Sequence, residues 1–278
     1  MEFYNIKNLD IYAILVILSF FGFIEFSNGL YGSKSKRSKN DWHVELISTF
    51  QLIFLTKPII FPISALILTF FFPGYNNIFR DLGFWICLLI VITGDDILQY
   101  WYHRMAHTWI WLWKLHRPHH AAREMGILVS YRNALLYYIL MPNIWWLGAC
   151  VYCELYQEVI IGVIIKQLIV TGAHSEAKWD KFLYKNKLFH PLAWIIERII
   201  STPATHFAHH GKTSDDNISN PDGNFGNMFF IWDVLFGTAL ITRKYPKEYG
   251  LLNDPDDSWQ SHLYYPFIKS IKSNSEIK

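Results

Sequence analysis

Twelve histidines occur in the 278 residues, and eight of them fall into three compact boxes. His103 and His107 form H-x3-H. His116, His119 and His120 form H-x2-H-H, and His206, His209 and His210 repeat that spacing. On a helix, positions i, i+3 and i+4 share a face, so each box is expected to present its rings to one point. Pro118 makes the second box a helix start or a turn. Imidazole is the commonest metal-binding side chain, and an all-nitrogen site suits iron, zinc or copper. A single histidine on an apolar face is ordinarily a satisfied core residue. Eight in a repeated spacing would repel one another or stay unsatisfied without an ion. Tetrahedral zinc takes four ligands. Eight or nine suit two ions with open positions, which points to catalysis more than to a structural staple. His174, in "VTGAHSE", is the ninth candidate. His190 stands alone before a proline, and His43 and His262 are expected at the surface.

Asp96 precedes His103 by two helical turns, so Asp96, Tyr100, His103 and His107 share a face. A carboxylate there is expected to accept the other N–H of a ligating ring and fix its tautomer. An acidic residue in a membrane helix is a functional candidate in its own right. Asp95 is expected to cap the membrane edge. Ser130, Tyr131, Arg132 and Asn133 either position a lipid head group or cap a helix at the interface.

The elements that must carry these residues are apolar. Hydrophobic residues make up 52% of the chain and charged residues only 17%, below the quarter usual in soluble domains. The net charge of +2 is small and scattered, which gives no basis for nucleic-acid binding. Three cysteines inside apolar stretches exclude a disulfide framework, and "ACVYC" reads as small apolar residues on a membrane helix. The N-terminus lacks the basic start and cleavage site of a signal peptide, so its apolar run reads as a first anchor. A bilayer core needs about 20 apolar residues per helix. Candidate spans are 10–31, 47–73, 82–102, 134–152 and 155–173, with kinks expected at Pro58 and Pro62. Glu158 and Lys166 of the fifth should face helices or water. These features predict an all-α, multi-span membrane bundle of four or five spans under a helical cap that carries the boxes. A membrane domain over 1–240 is expected, its histidine-box core at 90–240, followed by a polar tail over 241–278. The loop "YGSKSKRSKND" carries four basic residues and is expected in the cytosol. Counting spans from it places every box on the cytosolic face, of a bacterial inner membrane or the endoplasmic reticulum.

In their order, the boxes resemble the fatty acid hydroxylase / sterol desaturase superfamily of integral-membrane diiron enzymes. "DILQYWYHRMAH" is similar to that family's lead-in, with Asp96 in its acidic position. "DGNFGNMFFIWDVLFGT" is similar to the segment after its last box, with Asn224, Gly226, Trp232, Asp233, Phe236 and Gly237 in place. The likeness covers about 90–240. "GAHSE" and "WIIERIISTPATHFAHHGK" most resemble the alkylglycerol monooxygenase-like branch. Two departures stand out: Thr108 occupies the position after H-x3-H where that branch has an acidic residue, and the chain is short for its additional C-terminal membrane helices. The resemblance implies O2-dependent oxidation of a membrane lipid: hydroxylation, desaturation or oxidative cleavage of a fatty acyl, sterol or ether-lipid chain. It implies two iron ions, with zinc as a possible substitute, held by His103, His107, His116, His119, His120, His174, His206, His209 and His210. It also implies an external electron donor, since no flavin, haem or nicotinamide motif is visible.

The rival reading is a membrane zinc-binding transporter or scaffold without oxidase activity. Transporters place their ligands near the midplane, whereas these histidines fall at span ends. No H-E-x-x-H occurs, which disfavours a membrane metalloprotease.

Overall fold

A computed structural model describes residues 9–32, 35–254 and 257–269. The opening "MEFYNIKN", part of the basic loop and the last nine residues lie outside the described set. All the regular elements among the described residues are helices, with two isolated β-bridges, Ile200 to Phe229 and Gly211 to Tyr249.

Four helices are long and apolar enough to cross a membrane: α1 (Leu9–Ser27), α2 (Lys39–Phe71), α3 (Phe84–Thr108) and, after a broken segment, α7 (Tyr156–His174). Their outer faces carry large exposed apolar side chains, among them Phe23, Phe70 and Trp85, as helices bounded by lipid should. Helix α2 begins at a capping box in which Ser38 and Asp41 satisfy each other's backbone N–H. Its middle, Gln51–Thr56, is π-helical. That wider turn, closed by the Lys57 N–H on the Leu52 carbonyl, absorbs the misfit where Pro58 can neither donate nor tolerate a close carbonyl.

The stretch 134–152, expected as one span, is two helices, α5 (Leu135–Leu140) and α6 (Pro142–Tyr152). The break is at Met141, whose ψ of 111° is the extended geometry imposed on the residue before a proline. The pair still carries the chain away from the histidines to the far ends of the spans. There Tyr152 bonds the Phe72 carbonyl, and Asn76 donates to Glu154 at 2.8 Å.

The second box lies on α4 (Ile110–His120) and the third on α10 (Pro203–His209). Between them come α8 (Asp180–Lys185) and α9 (His190–Ile199); after them come α11 (Ile231–Phe236) and α12 (Trp259–Leu263). The stretch after 240, expected as a polar tail, folds back on the boxes as far as it is described. Tyr245 and Tyr249 pack edge-on against Phe207, each 5.7 Å away, and Arg117 pairs with Asp254 and Asp257. His262 on α12, expected at the surface, is buried because this fold-back covers it.

Candidate metal centre

The structure brings all nine candidate histidines together, each at most 5% exposed. They come from four helices. His103 and His107 end α3, His116, His119 and His120 end α4, His174 ends α7, and His206, His209 and His210 close α10.

They form two groups that could each hold an ion. His103, His107, His116, His120 and His209 make the first, and His119, His174, His206 and His210 the second. Within each group the candidate nitrogens lie within 4.8 Å of one another. This corrects the expectation that each H-x2-H-H box aims at one point. The i and i+4 rings of the second box join the first group and its i+3 ring joins the second; the third box does the reverse. At 3.6 residues per turn, i+4 falls about 40° to one side of i and i+3 about 60° to the other. Helices α4 and α10 therefore each straddle the two groups.

Most rings are aimed by a fixed acceptor. His103 Nδ1 donates to the Phe225 carbonyl and His209 Nδ1 to the Gly223 carbonyl, both at 2.7 Å. His116 Nδ1 donates to Asn133 Oδ1 at 2.8 Å, His119 Nδ1 to the Val129 carbonyl at 2.9 Å, and His174 Nδ1 to the Val170 carbonyl at 2.8 Å. A carbonyl only accepts, so these rings carry their proton on Nδ1 and turn a bare Nε2 inward. His103 Nε2 and His209 Nε2 then face each other at 3.0 Å, lone pair to lone pair. Such a pair is repulsive unless a cation lies between its members, and His107 Nε2 beside it is buried with no hydrogen-bond partner among the described residues. This donor set fits a metal.

The box histidines outside the spans are also held in the binding form. Burial pushes His116, His119, His120, His206, His209 and His210 well below the usual imidazole range, and neighbouring imidazoles push the same way. They are neutral at physiological pH, as metal ligands must be.

Asp96 does not touch a histidine. It accepts from the Phe229 N–H and from Trp232 Nε1, both at 2.9 Å, and from the Met228 N–H at 3.3 Å. The expected ring contact fails because His103 already donates to Phe225 O. Asp96 acts one step further out, anchoring to α3 the segment that carries this carbonyl. The rest of that segment is built for the same purpose. Asp233 accepts from the Phe225 and Gly226 N–H groups at 2.8 and 2.7 Å. Asn224 sits in the left-handed region at φ 53° and bonds the Thr205 and Leu240 carbonyls. A Cβ on Gly226 would stand 2.5 Å from the Phe229 carbonyl. Gly237 ends α11 with φ 72°, and Phe236 stacks on Tyr100 at 5.4 Å.

Of the quartet 130–133, Asn133 aims His116, and Arg132 Nε donates to the Pro118 carbonyl inside the second box at 2.8 Å. Both serve the histidines. Asp95, expected at the membrane edge, is buried and ion-paired with Lys166. The carbonyls of Gly223, Phe225 and Val129 were not foreseeable as ring acceptors, because backbone groups carry no residue-type signal.

Two cavities reach the groups. One of about 110 Å³ runs down between the spans from His116, His119 and His174. The other, about 370 Å³, lies against His107, His120 and Trp113 and is walled by residues 211–212, 221–222 and 250–253.

Residues 88–238 match the fatty acid hydroxylase family. Among curated relatives, alkylglycerol monooxygenase of Xenopus tropicalis is 28% identical over 166 residues, 58% of this chain and 32% of that protein. The Homo sapiens protein of that name is 26% identical over 155 residues, 52% of this chain and 28% of that protein. That of Danio rerio is 27% identical over 187 residues, 64% and 36%. The chain thus spans about a third of the length of these relatives. No solved structure matches it. With the match covering more than half the chain and all nine inward-facing histidines, this protein belongs to the fatty acid hydroxylase family.

Proposed function

We propose that the chain is an integral-membrane oxidoreductase that hydroxylates a lipid with O2, using two iron ions held by the two histidine groups. The observation that carries this reading is the inward set of neutral, bare Nε2 atoms beside a cavity that runs between membrane-spanning helices. Iron bound there would supply dioxygen activation against an unreactive C–H bond. The protein's own part is to hold the imidazoles neutral, to fix their direction through Nδ1, and to guide a lipid from the bilayer along Tyr137, Met141 and Ile144. Zinc fits the same nitrogens as a substitute without redox chemistry. Electrons come from a separate electron-transfer protein, and the cavity at His107 and His120 is the approach that leaves the lipid path free.

The boxes belong on the cytosolic face under this reading. Arg37 of the basic loop pairs with Glu124, four residues beyond the second box, so the positive-inside rule carries both to the same side. The relatives named alkylglycerol monooxygenase favour an ether lipid with a free glycerol among the possible substrates.

Purified protein from iron-supplied cells should hold close to two metals per chain and oxidise an alkylglycerol in the presence of a reductant. His119→Ala and His209→Ala should abolish oxidation while the protein still inserts in the membrane. Full activity in either variant, or one tightly held zinc in iron-grown protein, would overturn the proposal.

A further inference from the structure

Helices α9 and α11 of the cap carry their polarity inside out. On α9, Leu192, Ile195 and Ile199 stand at i, i+3 and i+7 and so share one face. On α11, Ile231, Val234 and Leu235 stand at i, i+3 and i+4. All six are exposed, from 37% at Ile231 to 63% at Leu235. The acidic residue of each helix is the buried one. Glu197 pairs with Arg198 and Arg243, and Asp233 accepts from the Phe225 and Gly226 N–H groups. A helix whose outer side meets water turns its apolar stripe to the core. These two turn it outward.

The outward surface is continuous with the one that faces lipid. The Phe230 N–H donates to the Ile199 carbonyl at 2.9 Å and Ile200 bridges Phe229, so the end of α9 lies beside the start of α11. At the other end of α11, Phe236 packs on Trp101 of α3 with ring centroids 5.0 Å apart, and both rings are partly exposed. Trp101 lies about 26 Å along α3 from Phe84, close to the edge of a bilayer core about 30 Å thick.

The exposed charges around α8 and α9 have one sign. Over 180–199 the two acids, Asp180 and Glu197, are buried, whereas Lys181, Lys185 and Lys187 are exposed. Arg198 lies over the exposed ring of Trp194, 4.3 Å from its centroid. An aliphatic face with tryptophan on it and lysines beside it is the composition of a helix lying in the headgroup boundary. A second copy of the chain docked face to face would bring like charges together.

We propose that α9 and α11 lie in the plane of the membrane, at the leaflet on the histidine side. Their apolar faces sink into the headgroup–acyl boundary, and Lys181, Lys185 and Lys187 draw anionic phospholipid to it. This rests on the integral-membrane reading above and goes beyond it, because the cap is then seated in the bilayer by its own helices as well as by the spans. Helix α9 ends just before α10, and α11 follows the carbonyls that aim His103 and His209. The two seats therefore bracket the third box.

Depth measurements test this on the full chain in phosphatidylcholine nanodiscs. A bimane is attached through Ile195→Cys, Leu235→Cys, Leu89→Cys on the exposed side of α3, or Asp215→Cys on the exposed turn after the third box. The unsubstituted chain is the blank for its own three cysteines. A doxyl group near the top of the acyl chains should quench positions 195 and 235 roughly threefold more than position 215, with aqueous iodide giving the opposite order. At equal mole fraction, doxyl-phosphatidylserine should quench position 195 about twofold more than doxyl-phosphatidylcholine, and Lys185→Gln with Lys187→Gln should remove the difference. Iodide access at 195 and 235, with position 89 still quenched by lipid, overturns the proposal and leaves the integral-membrane reading intact. Protection from both quenchers, with bimane self-quenching between chains, gives the face to a second copy and overturns it as well. Equal quenching by the two lipids overturns the preference for anionic lipid. Iodide access at position 89 would sink the membrane reading itself.

Discussion

The two histidine groups are built from the same boxes but are held differently. In the first group, three of five rings are aimed by acceptors from other parts of the chain: Phe225 O for His103, Gly223 O for His209 and Asn133 Oδ1 for His116. In the second, His174 is aimed by Val170, one turn back on its own helix, and His119 by Val129. His206 Nδ1 and His210 Nδ1 have no partner among the described residues. The first group is thus aimed mainly by the segment 223–225 with Asn133, whereas the second relies on the Val129 carbonyl and the rigidity of α7 and α10. The surroundings divide likewise, since His107 and His120 border the outer cavity, and His119 and His174 the cavity between the spans. Orienting partners typically contribute 10–100-fold in metal affinity, so the first group should hold its ion more tightly.

The largest effect that bears on this contrast comes from ligand removal. His209→Ala should empty the first group and His119→Ala the second, each leaving about one metal per chain by elemental analysis and lowering lipid oxidation by more than a hundredfold, a floor set by the loss from orienting partners alone. Loss of both metals in either variant would show that the groups act as one. Gly226→Ala should come next. Its Cβ would stand 2.5 Å from the Phe229 carbonyl and 2.8 Å from Asp233 Oδ2, and the loop must shift. We expect about 1–3 kcal/mol of lost stability and selective loss of the first group's metal, read by thermal unfolding and metal content. Asn133→Leu removes the acceptor for His116 together with a longer bond, 3.4 Å, to the Tyr138 hydroxyl. A chelator titration should show the first ion released at roughly 10–100-fold lower chelator, reversing a wild-type order in which the second group empties first.

The smallest effect concerns His262, which belongs to neither histidine group. Burial pushes its pKa down to about 3; Arg117 and Arg132 add to the shift, and Asp257 and Asp41 oppose it. Below about pH 6.5 the unfolded chain binds a proton at this ring that the folded chain does not. Stability from a neutral His262 is therefore present above that pH and lost as the pH falls towards 3. His262→Gln should flatten the wild-type loss of thermal stability between those values, with metal content unchanged. Equal slopes in the two proteins would show that His262 charges freely in the fold.

Much of the site was legible because its signals are local. Box spacing follows helix periodicity, and apolar runs as long as α1 and α3 have few soluble alternatives. The orienting layer was less legible. Asp96 was correctly placed on the face of His103, yet its partner depends on where a segment some 130 residues later packs. The broken stretch 134–152 shows the limit of composition: its apolar content suits a span, but Pro142 forces the residue before it out of the helix.

The sequence by itself determined that nine imidazoles would gather at the ends of apolar helices, because spacing and hydrophobicity act over a few residues. Only the tertiary structure decided which ring serves which group. On α4 and α10 that choice is an angular difference of about 100° between i+3 and i+4, and it means nothing until two further helices supply the other ligands.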